Sequence, residues 1–356
     1  MTDSLDGSPA GPLIPQLPDD LSIRCIARVP RSSHSALALV SRSWRSLLRS
    51  PLFFALRSDL GALQPFLCLN VRTPTDQSCW YLLDPADRWN PILLPAPQLP
   101  TVGSACAALG STLFVLGGSL HGVPSAAVQL FDACRRRWSL GPRMSAAREF
   151  AAAGALGGRI YVIGGCLPPA DAWAEALDPA CAAWSTVPSP PHLREKWMHG
   201  SAVLAGRLLA VADRGGVVYD PAAEVPWRPV PAALDLGWRG RAAVVGGILY
   251  SYDYLGKIRG YDLETDEWKQ VEGLERELPK FLCGATLANL GGLLCVVWEG
   301  KRRGRSGSKE MEIEWAGIEV LKTDDGGLQG SIVWSESIIL AVPKRSSVAH
   351  CVAVEL

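Results

Sequence analysis

Seven residues carry the chemistry that a binding partner would meet: Arg148, Arg194, Lys196, Trp197, Trp238, Arg239 and Lys280. Five cations beside two indoles suit an acidic or phosphorylated segment of another protein. Charge-assisted hydrogen bonds and aromatic area are the strong terms of such contacts. Three positions share an offset. Counting ten residues back from the second residue of a turn lands on Arg148 (from Gly158), Lys196 (from Gly206) and Gly237 (from Gly247). Trp238, Arg239 and Arg241 adjoin the last of these. The alternative is ordinary solvated loop charge with tryptophans that only pack, and spacing alone leaves both readings open.

Catalytic chemistry finds less material. The five histidines, at 34, 121, 192, 199 and 350, include no pair at metal-ligand spacing. A copper centre would need several His and Tyr converging, and no Ser/His/Asp or Cys/His arrangement stands out. The expectation is therefore no catalytic residue, no metal and no cofactor. Ten cysteines contain no C-x-x-C. Cys106, Cys166, Cys283 and Cys295 lie in or beside apolar runs, the pattern of buried thiols in a cytoplasmic or nuclear protein.

Lys+Arg and Asp+Glu both number 35, which argues against a dominant nucleic-acid or membrane surface. The run 300–309 gathers five cations without an aromatic. It reads as a solvated insertion, with an import signal or nucleic-acid patch as the alternative. Two uncharged windows, 102–120 and 281–298, each break at a Gly turn, so they read as strand hairpins and not membrane spans. Asp3 and Asp6 in place of an apolar segment argue against a signal peptide.

The elements that position these residues come from a repeat. A-L-G-G-R-I-Y-V-I-G-G runs from Ala155 to Gly165, followed by a loop, a second apolar run to Asp178-Pro179, and Trp184. Short apolar runs between glycines are strands. The cadence recurs at Leu109–Gly118 with Trp138, Leu204–Asp213 with Trp227, Val245–Tyr252 with Trp268, and Leu290–Trp298; Trp80–Trp89 supplies half a unit. Trp89, Trp138, Trp184, Trp227 and Trp268 are 49, 46, 43 and 41 residues apart by subtraction. Periods of roughly 40 to 50 residues, at about four strands each, belong to β-propellers. Six blades are expected: 66–97, 103–141, 150–188, 200–230, 240–273 and 284–340. The first lacks a strand, which the terminal run 348–356 can supply, closing the ring. A Trp at a fixed offset reads as filler between neighbouring blades rather than a stacking platform. Asp132, Asp178, Asp220 and Asp262 sit where strand ends favour Asx turns.

The first residues differ. Residues 1–12 read as disordered. Pro18-Asp19-Asp20 is a helix start, Pro30 ends that helix, and Ser32 or Ser33 can cap a second helix whose apolar spacing runs to Pro51. L-P-D-D-L (17–21), I-A-R-V-P (26–30), L-V-S-R-S-W-R-S-L (39–47) and S-P-L-F-F (50–54) resemble an F-box over about 45 residues. The resemblance implies a small all-α three-helix module, 13–56, that docks a Skp-type adaptor and through it a cullin. By motif position, Leu17, Pro18, Ile26, Val29, Pro30, Val40, Trp44 and Leu47 would form its core and adaptor face. A segment this short cannot hide its apolar surface alone.

Residues 57–64 read as a short linker and 65–356 as the all-β domain. Gly117-Gly118, Gly164-Gly165 and W-S-L-G-P-R-M-S-A-A-R (138–148) resemble kelch repeats. In that family the loops leading into each blade share a face with those between its second and third strands. That face would gather the seven residues above with the His121 loop. The two resemblances imply the substrate-recognition subunit of a Skp–cullin–F-box ubiquitin ligase. A non-degradative scaffold, or a copper-oxidase-like propeller, is the alternative.

Overall fold

The computed structural model describes residues 12–99, 102–167, 171–193, 198–212, 215–238, 240–253, 255–300 and 310–356. The chain divides into two compact units: Met1–Gln64 with Glu355–Leu356, and Pro65–Val354.

The first unit is helical. α1 (Asp19–Ala27) starts as its residues dictate, with Pro18 at the N-cap and Asp19 and Asp20 in the first turn. A 3-10 turn, Arg31–Ser33, leads into α2 (His34–Val40). Ser33 occupies the N-cap of α2, but its hydroxyl makes no capping bond. The second helix expected from the apolar spacing is in fact two. Ser41 is extended, and its hydroxyl accepts the Trp44 amide at 3.1 Å, so it stops α2 and caps α3 (Arg42–Leu47). α4 (Pro51–Asp59) has Pro51 in its first turn and Ser50 as cap, accepting from Phe53 N at 3.2 Å. The three-helix expectation therefore becomes four helical segments, and Arg57 belongs to α4 rather than to a linker.

Ile26, Ala27, Leu48 and Phe53 are the buried centre of this unit. Arg57 lies fully buried among them and closes the chain reversals, donating to the Ala27 and Val29 carbonyls at 2.7 and 2.8 Å and to Ala62 O. His34 is buried against Phe53, with Nε2 3.1 Å from Val29 O.

Among its described residues the second unit is all-β apart from α5 (Ala232–Gly237) and a 3-10 turn. Strands Ala105–Leu109, Thr112–Leu116, Val128–Asp132 and Arg137–Leu140 form one four-stranded antiparallel sheet. Ala152–Leu156, Arg159–Ile163, Ala174–Asp178 and Ala183–Thr186 form the next. A third comprises Met198–Leu204, Arg207–Ala212, Val217–Tyr219 and Trp227–Pro229. In the sheet of Pro65–Arg72, Ser78–Asp84 and Asp87–Leu93, the fourth strand is Ser347–Glu355 from the far end of the chain. It takes the place foreseen for the terminal run. Both uncharged windows are strand pairs, 105–109 with 112–116 and 283–290 with 293–299. Among the described residues no helix is long and apolar enough to cross a membrane.

One departure concerns the last two expected blades, which are joined into a single sheet of eight strands. Ala242–Val245, Ile248–Tyr252, Ile258–Asp262 and Glu267–Glu272 form one antiparallel half. Cys283–Leu290, Leu293–Glu299, Glu310–Lys322 and Leu328–Pro343 form the other. A short parallel pairing of Val271 with Leu328 and Glu272 with Gln329 connects them. The join follows from strand length: with 13 and 16 residues, Glu310–Lys322 and Leu328–Pro343 reach well beyond the other strands. The segment 301–309 lies outside the described residues.

The tryptophan period has a structural counterpart. The indole N–H of Trp138 donates to Pro95 O, Trp184 to Pro142 O, Trp227 to Pro188 O, and Trp268 to Ala233 O, at 2.6 to 2.9 Å. Each therefore ties the last strand of its sheet to the segment that follows the preceding sheet. This is the gap-filling role read from the spacing. Trp89 differs: it is 62% exposed and donates to Glu336. The strand-end aspartates also behave as expected, Asp178, Asp220 and Asp262 each accepting the amide two residues on and Asp132 that of Arg135.

Candidate functional site

In the helical unit, backbone and packing sort the eight candidate adaptor residues. Ile26 is only 2% exposed. It belongs to the core and offers nothing to a partner, which corrects its assignment to the docking face. Leu17, Val29, Trp44 and Leu47 are half-buried, while Pro18, Pro30 and Val40 are exposed. Trp44 is held in place by its indole N–H donating to Leu13 O at 2.7 Å. Leu39, Val40 and Leu52 stand 78, 62 and 69% exposed, on a unit of four small helices whose fully buried apolar centre is four residues. Leu39 and Leu52 lie within the quoted motifs, and their exposure is legible only once α2 and α4 are placed.

In the β unit, three of the seven cation and indole candidates lie among the described residues, and two of these are buried. Arg148 is completely buried. Its guanidinium pairs with the equally buried Glu175 at 2.8 Å and donates to Gly164 O and Trp173 O at 2.7 and 2.8 Å, and to Ala172 O. Glu175 also accepts the Ser145 amide. Arg148 is thus an internal strut, and its assignment to substrate binding is corrected. Gly117 and Gly165 belong to the same construction. Both have positive φ, and a Cβ on either would strike the carbonyl of Arg148 or Glu149.

Trp238 is likewise 1% exposed and donates to Gly240 O, so it is filler behind α5 and not a partner contact. Lys280 is exposed and lies 5.9 Å from the Phe281 ring. Arg194, Lys196, Trp197 and Arg239 lie outside the described residues.

What the fold does bring together is an axial cavity of about 450 Å³. The starts of the inner strands line it: Ala105 and Cys106, Ala153, Ser201, Ala242, Thr286 and Leu287, and Ser347–Val352. Both edges of the eight-stranded sheet thus reach the same hollow. Gly103, Gly200 and Gly240 form part of its rim, where a Cβ at Gly200 would meet Gly240 O at 2.7 Å.

Among the described residues the lining contains the cations Arg72 and Arg241, together with His350, and no Asp or Glu. Arg241 donates to Val348 O at 2.8 Å and to Gly284 O at 3.3 Å, and burial holds its guanidinium below the usual range. His350 stacks on Trp80, 6.4 Å between centroids and 5° between planes. Burial, reinforced by Arg241, pushes its pKa down to about 4, so it is neutral at pH 7. Arg241 neighboured the counted offset in the sequence. Arg72 and His350 carried no signal there, because the strand pairing of the two chain ends is what places them.

The ten cysteines are free thiols; Cys68 is pushed up to about 12 by burial. Among the described residues no three His, Cys, Asp or Glu side chains gather as a metal site.

Comparison with known proteins agrees with this architecture. A profile described as F-box domain matches residues 14–56, and one described as FKB95, Kelch-repeats domain matches 75–339. The Arabidopsis thaliana F-box/kelch-repeat protein At4g39550 is 30% identical over 370 residues, covering 95% of this chain and 93% of its own. At4g39580 from the same plant is 32% identical, covering 95 and 92%. F-box/kelch-repeat protein At5g48990, also from Arabidopsis thaliana, is 31% identical over 93 and 92%. The chain belongs to the F-box/kelch-repeat family.

Proposed function

We propose that the chain is a substrate-recognition subunit of a Skp–cullin–F-box ubiquitin ligase, acting in the cytoplasm or nucleus. The helical unit docks the Skp-type adaptor, and the β unit captures the protein to be ubiquitinated. The chain does no chemistry itself; the bond-making residues belong to other subunits. The observation that carries this reading is the exposure of Leu39, Val40 and Leu52 on a unit matching the F-box profile, in one chain with kelch repeats. Around them, Leu17, Pro18, Val29, Pro30, Trp44 and Leu47 complete the proposed adaptor face. The β unit is read as a six-bladed propeller, a count supported by both edges of the eight-stranded sheet lining the axial cavity. Lys280, with Arg194, Lys196, Trp197 and Arg239, is proposed to flank the cargo.

The test is capture of a purified Skp-type adaptor by the full chain. Val40→Asp puts a charge on an exposed position, so the fold should persist while adaptor capture is lost; Leu17→Ala with Pro18→Ala should weaken it. Undiminished capture by Val40→Asp at wild-type stability would sink the adaptor assignment.

A further inference from the structure

We propose that the axial cavity is an oxyanion-binding site, with Arg241 and Arg72 supplying the charge, and that it takes a carboxylate or phosphoryl group carried by the cargo. The cargo clause rests on the receptor reading above; the oxyanion chemistry does not.

The positive charge at this cavity is only loosely balanced: the Glu299 carboxylate attracts Arg241 without forming an ion pair with it. Among the described residues Arg241 has no carboxylate partner, only the carbonyls of Val348 and Gly284. Those two bonds fix the guanidinium plane and leave further N–H donors for a ligand. Arg72 ends the strand Pro65–Arg72, which adjoins Ser347–Glu355, the strand bearing Val348. Both arginines therefore lie beside the start of one inner strand, and both line the hollow. Among the described residues the only acidic contact of Arg72 is a long one, 3.9 Å to an exposed Asp76. Among the described residues no acidic side chain lines the hollow, and its third titratable nitrogen group, His350, is held neutral by burial.

Elsewhere in this unit cations find carboxylates: buried Arg148 pairs with Glu175, half-buried Arg207 with Asp220, and exposed Lys322 with Asp262. A partly desolvated guanidinium hydrogen-bonded only to carbonyls is stabilised by a bound anion, and a fork of N–H donors matches planar carboxylate or tetrahedral phosphate oxygens. At the rim the backbones of Gly200 and Gly240 lie too close for a side chain on Gly200. A cavity of about 450 Å³ is in the range that holds a small ligand or a short run of residues.

The experiment is thermal denaturation of the full-length protein titrated with inorganic phosphate at constant ionic strength. A fluorescent Asp-rich peptide with an amidated end is titrated in parallel. The wild type and the surface control Arg276→Gln should show the same saturable rise in Tm. In Arg241→Gln and Arg72→Gln the apparent affinity should fall about tenfold or more. Because Arg241 also braces two carbonyls, Arg72→Gln, which loses no such bond, keeps the inference testable if the first variant melts early. A wild type without a saturable response, or both variants titrating like it, overturns the proposal. Peptide binding that phosphate displaces places the oxyanion on cargo; phosphate binding without peptide binding keeps the site and overturns the cargo clause. Adaptor capture by Arg72→Gln should match the wild type, so failure here and failure of the ligase reading are separate results.

Discussion

The pair Arg148–Glu175 shows how far a charged residue's role depends on what surrounds it. Both side chains have no exposure, and between them they satisfy the carbonyls of Gly164 and Trp173 and the amide of Ser145. Breaking such a pair leaves a buried charge without a partner, which costs roughly 3–5 kcal/mol. Arg148→Ala should therefore lower the urea midpoint substantially, and Arg148→Met with Glu175→Leu should be less destabilised than either single change. Equal or greater loss in the double variant would mean that the carbonyl bonds, and not the ion pair, dominate.

Proton linkage is the second expectation at this scale. His34 and His350 both have pKa values pushed down to about 4 from 6.5, chiefly by burial. The unfolded chain binds their protons more readily, so their contribution to stability is complete above pH 6.5 and is lost as pH falls toward 4. For His34 the loss approaches ~3 kcal/mol; His350 is shifted in the same direction and adds to it. Urea midpoints at pH 7 and pH 5, compared between wild type and His34→Gln, should show a flatter pH dependence in the variant.

Elements hold together through devices that are local in sequence and others that are not. Ser50 and Pro51 start α4 wherever that segment finds itself, because the cap hydroxyl and the fixed proline φ act within one turn. Ser50→Ala should lose about 1 kcal/mol in equilibrium unfolding followed at 222 nm. The indole bonds work over 35 to 43 residues, from the last strand of one sheet back to the segment after the preceding one. Trp138→Phe keeps an aromatic ring in a smaller form but orphans Pro95 O, which costs about 1–3 kcal/mol. No loss of stability in that variant would reduce the bond to decoration. At this scale the tryptophan spacing was readable as a period, whereas the direction of each bond was not.

For the whole β unit, closure is the decisive feature. Ser347–Glu355 pairs with Pro65–Arg72, so the last strand seals the sheet that the first one opens. It also supplies Val348 and His350 to the cavity. Ending the chain at Pro343 would expose the backbone edge of Pro65–Arg72 and remove the acceptor that Arg241 uses. Size-exclusion chromatography should show aggregation of the shortened protein, and its unfolding should lose cooperativity. A monomer with an unchanged transition would show that the ring tolerates an open seam.

By itself the sequence determined what depends on local periodicity: the F-box helices, the strands between glycine pairs, the period of roughly 40 to 50 residues, the aspartate turns and the terminal strand's suitability as a seal. These are properties of neighbouring residues, and a chain carries them before it folds. Tertiary structure alone decided which charges face outward. Arg148, at the same repeat offset as Lys196, points into the core because Glu175 arrives from a strand 27 residues away. Arg72 and Arg241 share a hollow because strands from both ends of the chain meet there. Burial is a sum over distant neighbours, and spacing in one dimension does not contain it.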